Sequence, residues 1–150
     1  MIRLIDVTDN EGRIIEADWL ARAAAVHRQL RPKLPELPAD YAAKMKRVFA
    51  GGGRMAIAAE EEAVVGVGIW RVHENTFNGV QMYVDDLITD ETRRSRGVGH
   101  ALMEHLQHKA RALGCESYTL DSGTHRQQAH KFYFREGMVV TSFHFEKKMT

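Results

Sequence analysis

The chain has 150 residues, of which 21 are Lys or Arg and 20 are Asp or Glu, so its formal net charge is +1. This near balance excludes the broad basic surface typical of proteins that bind nucleic acids or membrane surfaces. The single cysteine, Cys115, excludes an intrachain disulfide, and no apolar run approaches the roughly 20 residues that cross a bilayer, so we expect one cytoplasmic domain, residues 1–150, without membrane or nucleic-acid partners.

The first 50 residues predict one strand and two short helices. Residues 2–7 have the composition of a strand, which a turn at residues 9–12 ends. Apolar side chains then recur at helical spacing in two groups, which the prolines at positions 32, 35 and 38 separate. The groups are Trp19, Ala23, Val26 and Leu30, followed by Tyr41, Met45, Val48 and Phe49. Asp40 is the expected N-cap of the second helix, and the glycines at positions 51–53 end it.

The middle of the chain predicts three strands and a long helix. The apolar stretches 55–59 and 64–70 flank an acidic turn and predict a hairpin, and residues 80–88 predict a further strand. An apolar stripe at helical spacing runs from Val98 to Leu113 and ends at Gly114.

The end of the chain predicts a strand, a helix and a last strand. Residues 117–121 have strand composition. Thr124 and Gln127 have the spacing of a capping box, so a helix is expected to begin there and to end at Gly137. Residues 138–148 are the expected last strand, and their alternating Phe143, His144 and Phe145 would suit a dimer contact.

The sequence Arg-Ser-Arg-Gly-Val-Gly at residues 94–99 lies where a strand gives way to a helix. Because Gly97 and Gly99 lack Cβ atoms, their backbone can approach a phosphate, and the helix N-terminus adds partial positive charge. A dinucleotide-binding fingerprint does not fit, because Leu102 stands where its third glycine would be. A Walker-type loop does not fit either, since no Gly-Lys-Ser/Thr follows. A phosphate cradle and a tight turn with solvated arginines are the two remaining interpretations.

A second motif, Ala-x-x-Phe-Tyr-x-x-x-Gly-Met at residues 129–138, decides between them. With this motif and the glycine loop, the chain resembles the GCN5-related N-acetyltransferase (GNAT) superfamily over residues 55–148, whereas residues 1–54 match it only in layout. The resemblance implies an α/β fold with a mixed, mostly antiparallel central sheet, flanked by about four helices and splayed between its central strands. Acetyl-CoA would lie in that opening.

The resemblance also implies the residues that bind the cofactor. Backbone groups at the strand end would pair with the pantetheine arm, and amides of the glycine loop would hold the pyrophosphate. The first group is Leu87, Ile88 and Thr89, and the second is Arg94, Ser95, Arg96, Gly97, Val98, Gly99 and His100. Where the family often has Asn, this chain has Arg126, which either contacts a CoA phosphate or an acidic substrate or is a solvated residue at a helix start.

Tyr133 corresponds to the tyrosine that the family uses as general acid toward the departing CoA thiolate, although an apolar helix face also suits a core aromatic. A protonated amine must lose a proton before it attacks, and Asp85 or Asp86 is the candidate base. Adjacent strand residues point to opposite faces, so at most one aspartate should enter a given side of the cleft, and Asp85 is preferred. Either could instead bind the ammonium group or form an internal salt bridge. His125 is a secondary candidate for proton relay.

No metal site is expected. His100, Glu104 and His108 share a helix face, but no Cys or Asp cluster completes a ligand set. Cys115 is expected to be structural rather than nucleophilic.

These features predict an N-acetyltransferase that moves acetyl from acetyl-CoA to a primary amine by direct attack in a ternary complex. The acceptor is a small amine or a peptide, and a homodimer is possible. A catalytically silent acyl-CoA sensor and a protein acetyltransferase acting on lysines or N-termini remain as alternatives. The acceptor would be selected by the helix pair and loops around Trp19, His27, Arg31, Tyr41 and Phe77.

Overall fold

The secondary structure follows the predicted alternation of strands and helices. A computed structural model describes residues 1–94 and 96–150, so Ser95, a predicted cofactor residue, lies outside the described residues. The elements are β1 (Ile2–Asp6), α1 (Ala17–Leu30), α2 (Pro38–Ala50), β2 (Arg54–Glu60), β3 (Ala63–Asn75), β4 (Gly79–Thr89), α3 (Val98–Ala112), β5 (Ser117–Leu120) and α4 (Gln127–Arg135). A short 3-10 helix, Glu91–Arg93, lies between β4 and α3.

The five strands form one sheet in the order β1-β2-β3-β4-β5. The first three neighbouring pairs are antiparallel, and the α3 crossover leads from β4 to β5. The fold is therefore the expected α/β fold with a mixed, mostly antiparallel sheet and four helices. The splay between the central strands stays a prediction.

The hairpin of β3 and β4 is longer than predicted. Residues 71–75 continue β3 beyond Trp70 and pair with the start of β4, as far as Asn75 opposite Gly79. The Asn75 side chain accepts hydrogen bonds from the backbone N–H groups of Phe77 and Asn78 and so closes the turn. These residues carry no apolar alternation, because they are mostly exposed and are held by backbone pairing.

Buried side chains cover both faces of the sheet. One cluster joins α1 and α2 to the sheet and includes Leu20, Tyr41, Met45, Ile57 and Ile69. A second cluster joins α3 to the other face through Val98 and Leu102. Each of these helices buries one apolar face, and this burial is the usual source of helix stability in a small α/β protein.

Two predicted helix caps are wrong. Helix α2 begins at Pro38 after the N-cap residue Leu37, because proline suits the first helical position, and Asp40 lies within the first turn. Helix α4 begins at Gln127 after Arg126, without a side-chain cap, so Thr124 and Gln127 do not form a capping box.

The predicted last strand is also wrong. Residues 138–150 have no regular secondary structure, and nearly all of them are exposed. An alternating apolar pattern gives a strand only where a neighbouring strand supplies hydrogen bonds. The described residues supply no such neighbour to this segment.

The chain divides into two compact units, Met1–Thr119 and Leu120–Thr150. The first contains α1, α2, α3 and nearly all of the sheet, and the second contains α4 and the C-terminal segment. A single-domain organisation stays a prediction. No helix among the described residues has the length and apolar composition needed to cross a membrane.

Candidate active site

A β-bulge at Asp85 shapes the candidate site. Val84 pairs with Trp70 and Asp86 pairs with Ile69, so Asp85 is an extra residue of β4 without a partner in β3. A bulge breaks the regular alternation of side chains and redirects them. Asp85 and Asp86 consequently line the same cavity. The prediction that at most one aspartate enters the cleft is therefore wrong.

The cavity has a volume of about 690 Å³ and lies within the first unit. It is bounded by α1, the α1–α2 loop, α2, β3 and β4. Its charged and polar lining residues are His27, Arg31, Lys33, Lys44, Arg47, Arg71, Tyr83, Asp85 and Asp86. Its apolar lining residues are Leu34, Pro35, Met45, Val48 and Ile69. Of the five residues expected near the acceptor, Trp19, Tyr41 and Phe77 do not line it.

Asp86 is held by two residues of α1 and the loop after it. Its Oδ2 lies 2.7 Å from Nε2 of His27, and its Oδ1 accepts a 2.7 Å hydrogen bond from Nε of Arg31. Burial opposes ionisation of Asp86, but the hydrogen bonds and charges of His27 and Arg31 outweigh it, so its pKa is below the ordinary value. Asp86 is therefore a permanently charged carboxylate at neutral pH and a weak base.

His27 connects Asp86 to α2. Its side chain is 2% exposed, and its Nδ1 lies 2.9 Å from the Tyr41 hydroxyl. Burial raises the pKa of Tyr41, so this hydroxyl stays protonated at neutral pH. Nδ1 of His27 thus hydrogen-bonds the protonated Tyr41 hydroxyl, and the Nε2–H of the same ring donates to Oδ2 of Asp86. This chain of hydrogen bonds fixes one wall of the cavity.

Asp85 is paired with Arg71 from β3. Nε of Arg71 is 3.1 Å from each carboxylate oxygen, and Nη2 donates a 2.6 Å hydrogen bond to Oδ2. The hydrogen bond with Asp85 raises the pKa of Arg71, against the effect of its partial burial. Nη1 of Arg71 also donates to the carbonyl oxygen of Gly51, which ties the pair to the end of α2. Both aspartates are therefore oriented by cations, and the assignment of either as the base stays a prediction.

The predicted cofactor strand end lies against the start of α3. Thr89 pairs with Gly66 of β3. A Cβ atom on Gly66 would lie 2.7 Å from Leu102 and 2.8 Å from Val98, so only glycine lets α3 approach the sheet this closely. Gly66 therefore brings the β4 end, where Leu87, Ile88 and Thr89 lie, next to the first turn of α3. No local sequence pattern signals this role of Gly66.

The glycine loop leaves the start of α3 open. Gly97 is the N-cap residue with φ of +83°, and a Cβ atom there would meet nothing within 4 Å. Among the described residues no side chain caps α3, and the first N–H groups of a helix have no acceptor within the helix itself. Arg94 and Arg96 are exposed. These features suit an anion at this position.

The loop is anchored on the side of β4. Asp90 accepts a hydrogen bond from the backbone N–H of Thr92, and Arg93 pairs with Glu60 of β2. From α1, the Gln29 side chain accepts a hydrogen bond from the backbone N–H of Glu91 at 3.0 Å. Helix α1 therefore contacts both the cavity and the start of the loop.

Tyr133 and Arg126 lie in the second unit, in α4 and at its N-cap. Burial raises the pKa of Tyr133, and the charge and hydrogen bond of Arg126 lower it only in part. The tyrosine hydroxyl is therefore protonated at neutral pH, as a general acid must be. Burial likewise raises the pKa of the Cys115 thiol, which disfavours a reactive thiolate.

A metal role finds no supporting geometry within residues 1–94 and 96–150. No group of three or more His, Cys, Asp or Glu side chains is placed there to hold an ion. Two of the three residues on the helix face considered for a metal, His100 and Glu104, are exposed, and Nε2 of His100 lies 3.6 Å from Oε1 of Glu104.

Comparison with known proteins adds to this geometry. A model of the Acetyltransferase (GNAT) family matches residues 18–138. The chain belongs to the GNAT acetyltransferase family. This is a family of acetyl-CoA-dependent N-acetyltransferases, as the two sequence motifs predicted.

Two curated relatives resemble part of this GNAT chain. It is 34% identical over 70 residues to the uncharacterized N-acetyltransferase YhdJ of Bacillus subtilis (strain 168), a match to 46% of this chain and 49% of that protein. It is 30% identical over 66 residues to the aminoalkylphosphonate N-acetyltransferase of Salmonella typhimurium (strain LT2), a match to 44% of this chain and 43% of that protein. The chain thus spans about half the length of the curated relatives it matches.

Solved structures share the GNAT fold over the whole chain. The aminoglycoside N-acetyltransferase AAC(6')-Iy in complex with CoA has a TM-score of 0.81 at 17% identity, over 100% of this chain and 96% of that chain. Glucosamine-6-phosphate N-acetyltransferase from Arabidopsis thaliana has a TM-score of 0.77 at 16% identity, over 100% and 99% of the two chains. At these identities the similarity establishes the fold.

The GNAT motifs account for the cofactor loop but not for the cavity. The sequence predicted that three of the residues described above, His27, Arg31 and Tyr41, lie near the acceptor. It did not predict their hydrogen-bond partners. The pairing of Arg71 with Asp85 and the cavity positions of Tyr83, Lys44 and Arg47 were missed. The residues of each ion pair are far apart in sequence, so no local pattern signals them.

Proposed function

We propose that this GNAT chain transfers an acetyl group from acetyl-CoA to a primary amine by direct attack in a ternary complex. The observation that carries the proposal is the β-bulge, which places Asp85 and Asp86 in one cavity beside the β4 end. Carboxylate oxygens at this position can accept hydrogen bonds from an ammonium group and orient it.

The cofactor is assigned to the opposite side of the β4 end. Backbone groups of Leu87, Ile88 and Thr89 bind the pantetheine arm, and the backbone amides at the start of α3 bind the pyrophosphate. Arg94, Ser95, Arg96 and Arg126 supply positive charge or further hydrogen bonds. Acetyl-CoA supplies the thioester carbonyl that the amine attacks.

We assign proton removal from the amine to the cavity aspartates and proton donation to the leaving sulfur to Tyr133. Asp85 or Asp86 holds the ammonium group, and the lowered pKa of Asp86 suits this role better than direct proton removal. The amine proton leaves to Asp85 or to a water beside it, the amine nitrogen attacks the thioester carbon, and the carbon–sulfur bond breaks. Tyr133 then donates its proton to the departing sulfur.

The size of the cavity favours a metabolite over a protein lysine. Residues 27–48 form three of its boundaries, and its volume of about 690 Å³ suits a small molecule. The names of the relatives also refer to small amines, namely an aminoalkylphosphonate, an aminoglycoside and glucosamine 6-phosphate. An acyl-CoA sensor is the second candidate. A homodimer formed through residues 138–150 stays a prediction.

The proposal is tested by calorimetric titration with acetyl-CoA, followed by thiol release in the presence of a panel of amines and peptides. Acetyl-CoA binding together with amine-dependent thiol release supports the acetyltransferase activity. Binding without release from any amine supports the sensor instead. Absence of binding contradicts the assignment of the glycine loop.

Replacing Tyr133 by phenylalanine is expected to preserve acetyl-CoA binding and to slow turnover. The substitution removes one hydroxyl and keeps the ring, and a general acid contributes roughly 100-fold or more to a rate. Thiol release at saturating acceptor measures the effect, and calorimetric affinity for acetyl-CoA is the control. Unchanged turnover would exclude Tyr133 as the acid.

A further inference from the structure

Three basic side chains at the cavity surface have no ion-pair partner among the described residues. We call Lys33, Lys44 and Arg47 the basic rim; all three line the cavity, and all three are exposed. Lys44 and Arg47 are three residues apart on α2 and so share a helix face, and Lys33 lies in the loop before α2. The other two cations of the cavity, Arg31 and Arg71, are paired with Asp86 and Asp85.

This pairing leaves an excess of positive charge at one side of the cavity. Lys and Arg provide five lining residues and Asp provides two. Because each carboxylate already has an arginine partner, the basic rim is uncompensated. A ligand with an ammonium group alone would enter past three like charges, which is unfavourable.

The cavity is therefore bipolar and also has apolar lining. The carboxylates lie on β4, the basic rim lies on α2 and the loop before it, and Leu34, Pro35, Met45, Val48 and Ile69 supply apolar lining. A ligand that fits this arrangement has an amine at one end, a short alkyl spacer and an anion at the other end. Lysine and arginine donors bind phosphate and carboxylate groups strongly.

We propose, on the basis of the function proposed above, that the acceptor is a small primary amine carrying an anionic group, which the basic rim binds. The anion is a phosphate, a phosphonate or a carboxylate. The amine end lies at Asp85 and Asp86, and the anionic end selects the substrate.

The test compares amines of similar length that differ at the far end. Thiol release is measured with 3-aminopropylphosphonate, 4-aminobutyrate, butylamine and 1,4-diaminobutane. The anionic amines are expected to have kcat/KM values roughly 10-fold or more above that of butylamine, the effect of a hydrogen bond between charged groups. Comparison of kcat/KM for 3-aminopropylphosphonate and 4-aminobutyrate shows whether the protein prefers a phosphonate or a carboxylate.

Variants of the rim assign the effect to these residues. Lys44→Glu and Arg47→Glu are each expected to raise KM for the anionic amines roughly 10-fold or more, whereas KM for butylamine, which the rim cations repel, should not rise. Acetyl-CoA affinity is measured in the same variants. Lys46→Glu is the matched control, because Lys46 is exposed on the same helix and does not line the cavity. Melting temperatures confirm that the variants fold.

Each other outcome overturns the inference in a distinct way. Equal rates with butylamine and the anionic amines, or a preference for diaminobutane, exclude anion selection and leave the acetyltransferase proposal intact. Loss of acetyl-CoA affinity in the rim variants assigns the rim to a CoA phosphate instead. Acetyl-CoA binding without release from any of the four amines or the wider panel contradicts the acetyltransferase proposal and this inference together.

Discussion

Replacing Gly97 by tryptophan is expected to abolish acetyl-CoA binding while the protein still folds. A Cβ atom at Gly97 meets nothing within 4 Å, so the protein itself has room for a side chain. The indole would instead fill the space in front of the first amides of α3, where the pyrophosphate is proposed to bind. We expect an affinity loss of roughly 100-fold or more, the loss of several charge-assisted hydrogen bonds, measured by calorimetric titration.

Gly114 provides a matched control for backbone strain. Its φ is +74°, close to the +83° of Gly97, and a Cβ atom there also meets nothing within 4 Å. It follows the other end of α3. Gly97→Trp and Gly114→Trp should therefore each lower the free energy of unfolding by about 1–2 kcal/mol, because a residue with a Cβ atom is strained in the left-handed conformation. Both variants should lower Tm to a similar extent. Only Gly97→Trp should lose acetyl-CoA; normal binding by this variant would show that the loop does not hold the cofactor.

Replacing Asp86 by alanine is expected to lower the free energy of unfolding by about 3 kcal/mol at pH 7, the lower end for loss of one partner of a buried ion pair. The carboxylate is 12% exposed and His27 is 2% exposed, so the substitution leaves a buried imidazole without its acceptor. Arg31 is half-exposed and can be solvated, which limits the loss. Urea denaturation of both proteins measures the difference.

The pH dependence of this difference follows from the pKa of Asp86, which is lower in the folded protein than its ordinary value of 3.8. The folded state therefore favours the ionised group, and the stabilisation is complete well above pH 3.8. It is lost as the pH falls through the lower folded pKa. The stability gap between wild type and Asp86→Ala should narrow in acid, and a gap that stays constant down to pH 3 would argue against an ionic origin.

Asp85→Ala is the corresponding comparison at the neighbouring position. Its partner Arg71 is 33% exposed, and the pair is open to solvent on one side. The expected loss is about 1 kcal/mol or less, as for a partly exposed ion pair. A loss as large as that of Asp86→Ala would mean that the two carboxylates form one coupled cluster.

The sequence predicts the repeating features of this fold well. Apolar side chains at helical spacing locate α1, α2 and α3, and the glycine motif locates the start of α3 within one residue. These signals are local, because each depends on residues a few positions apart. The GNAT resemblance then adds the mixed, mostly antiparallel sheet flanked by four helices, and the cofactor role of the glycine loop stays a prediction.

The remaining features depend on contacts between distant residues. Alternation along β4 predicts opposite faces for Asp85 and Asp86, and only the pairing with β3 reveals the bulge. The partners of these aspartates lie in α1, the loop after it and β3, which no spacing rule connects. Residues 138–150 show the reverse case, in which a strand-like pattern lacks a neighbouring strand.

The bulge also determines what a one-residue deletion in β4 would do. Residues 79–84 pair with residues 70–75, and residues 86–89 pair with residues 66–69, in registers that differ by one residue. The inward and outward positions of the two halves are therefore set separately. Deletion of Asp85 would leave both halves with their present partners, because the residues on either side of it already pair with adjacent residues of β3. A deletion in the middle of either half would instead force part of that half to slip by one residue against β3, and the side chains of the slipped part would exchange their inward and outward positions.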